Sequence, residues 1–255
     1  MDPKWQFLST FFFVVLMAAA SPAGAKCVTP VLPPLAYERQ SWSELEALKT
    51  SPPNHPSIRR RQDLHDDGHG ALNIDFYSVT LDSNGQDASS LLSEIRRDLN
   101  GLIFKGTTYG VAPHDDAQAQ RWGASNPTGA IMAFTLARIP SVMDLERGAV
   151  FVSCASATDF VFSTLEMAPY GLHPVAGNRA FGVQDHGNRA LTFYTMAVDR
   201  IVNAGSFGQM PETGRERIFR LGDDVWRGMQ RNIAAVYADR NPRDIFVFSR
   251  RVAYP

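Results

Sequence analysis

Apolar residues recur along this chain with two periods, and the changes between them outline its elements. In residues 72–81, Ile74, Phe76, Tyr77, Val79 and Leu81 are strand formers, and Asp82-Ser83-Asn84-Gly85 is a turn. The spacing then becomes helical: Leu91, Leu92, Ile95 and Leu99 recur at three or four residues, Asp87 or Ser89 stands at the N-cap, and Asn100-Gly101 closes the helix. Residues 109–128 carry no period and read as a loop with one short helix at 116–121. Strands follow at 130–139, 149–153 and 160–165, each bounded by a short turn, in the rhythm of an antiparallel meander. A hairpin comes next, with strands at 181–184 and 191–198 joined by Asp185-His186-Gly187-Asn188, whose Gly and Asx residues tolerate positive φ.

After a loop at 203–215, Val225, Trp226, Met229, Ile233, Val236 and Tyr237 form the apolar stripe of a helix over 223–239, with Asp223 and Asp224 at its amino end. Such a stripe needs a sheet to cover. Asn241-Pro242 stops the helix, and residues 245–248 add an edge strand. Upstream, residues 26–70 form a proline-rich extended arm interrupted by a helix at 41–49, where Ser43 and Glu46 fit a capping box. Residues 71–255 then make one domain.

The amino terminus departs from this pattern. Lys4, an apolar run at 11–20 and Ala23-Gly24-Ala25 have the layout of a signal peptide over 1–25, and the run is shorter than the ~20 residues a membrane span needs. The expectation is a secreted or periplasmic protein with no stable span after processing. Export makes Cys27 and Cys154 informative. A bridge between them and a lone buried thiol at Cys154 are both compatible with the sequence. With 25 basic and 26 acidic residues, a net charge of −1 and no basic run beyond Arg59-Arg60-Arg61, the chain has no electrostatic footprint for nucleic acid.

His173-Pro174, Gly177, Phe181, an aromatic strand ending at Arg200 and a helix around Trp226 to Tyr237 together resemble the carboxy-terminal half of a bacterial branch of the START/Bet v 1-like superfamily. That branch carries a similar Gly-x-Pro-x-x-Gly turn before a strand, an aromatic strand ending in Ser-Arg, and a closing basic helix. This chain has Asp199 in place of the Ser. The resemblance implies an α+β helix-grip fold, a curved antiparallel sheet packed on a long C-terminal helix, which commonly holds a small hydrophobic molecule.

The ligand-binding residues expected on that basis are Phe134, Phe162, Phe193, Tyr194, Trp226 and Met229, on strands and on the helix facing them; plain core packing explains the same spacing. No cofactor is called for. A second class of reading is a secreted metal-dependent hydrolase using His65, His69 and His114 with neighbouring carboxylates, nitrogen and oxygen donors suited to zinc. A third is a protein-interaction module. His173 and His186 are candidate bases without a visible partner, and a structural hydrogen bond and a turn role are their competing assignments. Ser153-Cys154 lacks an activating neighbour, and Arg200 is expected to pair with Asp199 or Glu166.

Overall fold

In the computed structural model, which describes residues 26–29, 42–104, 110–135, 147–202 and 212–254, the elements follow a strand–helix–strands–helix order. They are α1 (Ser43–Ala47), β1 (Ile58–Arg61), β2 (Gly68–Asp82), α2 (Ala88–Arg97), α3 (Leu99–Phe104), β3 (Gly110–Pro113), α4 (Asp116–Gly123), β4 (Ile131–Thr135), β5 (Arg147–Ala155), β6 (Asp159–Met167), β7 (Gly171–Leu172), β8 (Val175–Asp185), β9 (Ala190–Val202), α5 (Glu212–Val236) and β10 (Arg243–Val252). Every strand pairing is antiparallel, in the order β10-β2-β9-β8-β6-β5-β4-β3, with β1 and β7 added to β6. The curved sheet packs on α5, which is the helix-grip arrangement.

Side chains alternate across a strand, so register decides which residues meet. On the inner face, Val79, Leu81, Phe160, Phe162, Phe181, Val183 and Phe193 pack with α2, α3 and the Met229 and Ile233 positions of α5. On the outer face, Leu72, Ile74, Phe76, Tyr194, Met196 and Val198 are covered by the lead-in segment, chiefly Val28, Trp42 and Leu45. The sheet is thus buried on both sides, and β9 is buried at nearly every position for that reason.

Three local devices fix the lead-in. Cys27 and Cys154 form a disulfide across 127 residues of sequence, which settles the alternatives left open above. Asp159 Oδ2 accepts the backbone N–H groups of Cys27 and Val28 at 2.8 and 3.0 Å. Trp42, 2% exposed, stacks on Phe248. It also holds the N-cap position of α1 in place of the expected Ser43.

Other boundaries moved as well. β3 lies inside the stretch read as a loop, because its four residues pair with β4 without an alternation of their own. β1 is a strand whose three arginines make it look like solvated chain. Arg59 and Arg60 bind Glu166, and Arg60 also binds Asp67. α5 begins eleven residues before Asp223, and Asp223 itself sits inside the helix. The signal segment at 1–25, the end of the expected strand at 136–139 and the loop at 203–211 lie outside the described residues. No helix among the described residues is long and apolar enough to cross a membrane.

Candidate functional site

The inner face of the sheet and the first half of α5 enclose a cavity of about 200 Å³. Its two ends differ in chemistry, and the strand order says why. At the β4–β6 end the wall is Phe134, Val150 and Phe162, with Val225 and Trp226 of α5 above. At the β2–β9 end it is Asn73, Asp75 and Asp199, and Arg179 stands between the two ends on β8.

Register assembles the polar end. Phe162 lies beside Arg179, Arg179 beside Ala197, Ala197 beside Asp75 and Asp75 beside Ser249, a row that crosses five strands on one face. The next row is Gly177, Asp199, Asn73 and Arg251. Directly opposed side chains on one face are about 5 Å apart at Cβ, so these residues interact although their sequence positions span nearly the whole domain. Gly177 is required here: a Cβ on it would lie 2.1 Å from the Val198 carbonyl oxygen and 2.7 Å from the Asp199 Cα.

Arg179 donates to Asp75 Oδ2 at 2.8 Å and to Thr195 Oγ1 at 3.3 Å, with its guanidinium carbon 4.0 Å from the centroid of the Trp226 ring. Asn73 Nδ2 also donates to Asp75 Oδ2, at 3.0 Å, and reaches the two oxygens of Asp199 at only 3.3 and 3.4 Å. Asp75 Oδ1 and Asn73 Oδ1 are buried without a hydrogen-bond partner. Further along, Tyr77 and Ser249 donate to Asp223 Oδ1 at 2.7 and 2.9 Å, and Arg251 pairs with Asp223 Oδ2 at 3.1 Å.

Electrostatics follow from this geometry. Burial raises the carboxyl of Asp75 above its usual range, although Arg179 opposes it. Burial first, and the neighbouring Asp75 second, push Asp199 up to about 7, with Arg179, Asn73 and Arg251 pulling the other way. Asp199 therefore exchanges a proton near neutrality. His173 lines the same cavity, packed over the bare Cα of Gly148, where an added Cβ would fall 2.4 Å from its ring. Burial lowers it to about 4, and its Nδ1 lies 3.0 Å from the Val175 carbonyl oxygen, so it is a neutral ring hydrogen-bonded to backbone.

Of the residues expected around a ligand, Phe134, Phe162 and Trp226 line the cavity. Phe193 and Met229 are in the adjoining inner core, each fully buried. Tyr194 is on the outer face, stacked on Phe76 and lying over Gly182, because consecutive strand residues point to opposite sides. The same parity separates Arg200 from Asp199. Arg200 donates to the carbonyls of Gly70 and Leu64 and stacks on Tyr254, while Glu166 is held by Arg59 and Arg60, so neither expected pairing forms.

His114 meets different partners from those expected. Among the described residues, the one group of three or more potential ligands within 4.8 Å of one another is His55, His114 and Asp115. His65 sits near the Tyr254 ring, and His69 lies on β2 opposite Ile201. His55 Nδ1 accepts from the Ser57 N–H, which places its proton on Nε2 facing Asp115 Oδ2 at 3.6 Å, and His114 Nδ1 lies 3.0 Å from the Tyr170 hydroxyl. This is the wiring of a hydrogen-bonded cluster. His186 bonds Thr192 at the hairpin tip, and Ser153 bonds Ser163 on the outer face.

Asn73, Asp75 and Arg179 were missed from the sequence. A signal existed: Asn73, Asp75 and Tyr77 share one parity and alternate with the apolar Leu72, Ile74 and Phe76, and a polar residue at a core-facing position is either an error or functional.

No family model matches the chain, and no curated protein matches it. Among solved structures it is similar to an aromatase/cyclase, Zhui, from Streptomyces sp. R1128, with 15% identity over 66% of this chain and 98% of that one at a TM-score of 0.43. It is also similar to ginseng major latex-like protein 151 from Panax ginseng, with 12% identity over 66% and 99% of the two chains at 0.39. Norcoclaurine synthase from Thalictrum flavum aligns with 12% identity over 65% and 95% at 0.34.

Proposed function

We propose that this protein binds a small molecule with an apolar body in the cavity between the sheet and α5, after export to an oxidising compartment. The observation that carries the reading is the two-ended cavity: an aromatic and aliphatic wall from Phe134, Val150, Phe162 and Trp226 continues into a few polar groups that orient what enters. Its volume exceeds the about 150 Å³ of a dry apolar cavity that accepts benzene, so a one-ring molecule with a short side chain is of the right size. Export is supported by the signal layout at 1–25 and by the Cys27–Cys154 bridge, since disulfides persist where thiols are not kept reduced.

Trp226 makes the reading testable, because its indole is part of the wall. The mature protein is titrated with one-ring probes, and intrinsic fluorescence is followed in the native chain and in Trp226→Phe. The expected result is a saturable change that the variant loses, together with weakened binding by Phe162→Ala. Failure of every probe to bind, with no lipophilic dye taken up, would sink the proposal.

A further inference from the structure

The charges around the cavity do not balance. Among the described residues, Asp75 and Asp199 face it from β2 and β9 against one guanidinium, Arg179 from β8. The other charged pair nearby is internally matched, with Asp223 of α5 held by Arg251 of β10. His173 carries no charge above about pH 4, and Tyr77 stays a neutral phenol that donates its hydrogen bond to Asp223. Among the described residues, one cavity-facing carboxylate makes no ion pair with a cation. Arg179 is taken up by Asp75, Thr195 and the Trp226 face, so the unmatched group is Asp199.

Among the described residues that line the cavity, the unused hydrogen-bonding capacity is all of the accepting kind. Asp75 Oδ1 and Asn73 Oδ1, on side chains 2–3% exposed that line the cavity, have no donor. Asp199 shares one N–H of Asn73 through two long contacts. A ketone, an ether or a carboxylate cannot use these acceptors, because each brings only acceptors of its own. A primary ammonium brings three N–H donors and one positive charge.

We infer that the polar end of the cavity anchors the cationic head of an organic amine beside Asp199, with the aromatic or aliphatic body lying toward Phe162, Val150 and Phe134. This rests on the binding function proposed above and names its ligand class. The distance is suitable. Asp199 and Phe162 are two strand steps and one two-residue row apart, about 12 Å between backbones, which a phenyl ring on a three-carbon amine spans when its ends contact the two side chains. Burial first and the neighbouring Asp75 second hold a proton on Asp199 near neutrality; an ammonium placed beside it supplies a positive charge and displaces that proton. Amine binding therefore releases a proton and strengthens with pH by up to about tenfold per unit below about pH 7, levelling above it.

The test uses 3-phenylpropylamine, 3-phenyl-1-propanol and 3-phenylpropionate, which share body and length, titrated calorimetrically into the mature protein at pH 5.5, 6.5 and 8 in buffers of different ionisation enthalpy. The expected order at pH 8 is amine well above alcohol and alcohol above carboxylate, with proton release for the amine alone at pH 6.5. Asp199→Asn should abolish both the amine preference and the pH dependence while retaining alcohol binding. Should that variant misfold, the wild-type pH series and proton count decide alone. Equal, pH-independent binding of amine and alcohol, or preference for the carboxylate, overturns the inference and leaves the binding function standing. No binding by any of the three overturns both.

Discussion

Arg179 and Asp75 are locked together at 2.8 Å beneath the indole of Trp226, and that ion pair is the hinge between the apolar and polar ends of the cavity. Both groups are largely shielded, so each depends on the other to offset its lost hydration.

Arg179→Met removes the cation and leaves a buried carboxylate. The expected loss is about 3–5 kcal/mol at pH 8, the scale for breaking a buried pair by deleting one partner. At pH 5 the loss should be smaller, because Asp75 can then take up a proton. Urea denaturation at the two pH values measures the difference, and an equal loss at both would contradict it.

Asp199 and His173 act on stability with opposite signs. Between about pH 4 and 7 folded Asp199 holds a proton that the unfolded chain has released, so its contribution falls as pH rises. Between about pH 6.5 and 4 the unfolded chain protonates His173 while the folded one does not, so stability falls as pH drops. Asp199→Asn should therefore steepen the loss of stability on acidification through this window, and His173→Asn should tilt the profile the other way. Denaturation midpoints from pH 4 to 8 show the slopes directly.

Gln230 on α5 is fully buried, and neither atom of its amide has a hydrogen-bond partner. Gln230→Leu replaces an unsatisfied polar group by an apolar one of similar size. It should raise stability by about 1–2 kcal/mol, read from the denaturation midpoint at unchanged slope. A loss of stability would show that the amide is satisfied in solution.

Gly177→Ala places a methyl against the Val198 carbonyl and the Asp199 backbone, where neither neighbour is a flexible side-chain end. The expected cost is about 1–3 kcal/mol from forced separation of β8 and β9. Since Asp199 moves with its strand, probe binding should weaken as well, and calorimetry with a one-ring probe checks both effects.

Cys27→Ser opens the bridge that ties the lead-in to β5. Removing a native disulfide typically costs about 2–5 kcal/mol, and a crosslink over 127 residues belongs at the upper end in the chain-entropy account. Chemical denaturation of oxidised and reduced protein should give the same difference as the substitution.

Much of this fold was legible because local chemistry agreed with tertiary need. The Asp185–Asn188 turn marks the β8–β9 hairpin, and Asp87 caps α2 by accepting the Ser90 N–H. What could not be read has a shared cause in long-range pairing. β9 is apolar on both faces because lead-in and α5 cover both, so its pattern carries no sign of which way Tyr194 and Phe193 point. The first turns of α5 contain Gly214, Gly222 and five charged residues between 212 and 220, which disguise a helix whose inner side carries Ile218, Phe219 and Leu221. The polar site depends on β2, β8 and β9 lying side by side, and no spacing along the chain brings Asp75 to Arg179.

The bridge between Cys27 and Cys154 closes a covalent ring that contains β1 to β4, most of β5 and the first four helices, but leaves β6, β8, β9 and α5 outside it. The helix that roofs the cavity is therefore free of the crosslink. A displacement of α5 would stretch no bond of that ring, so the helix over the cavity and the stapled part of the molecule are different parts.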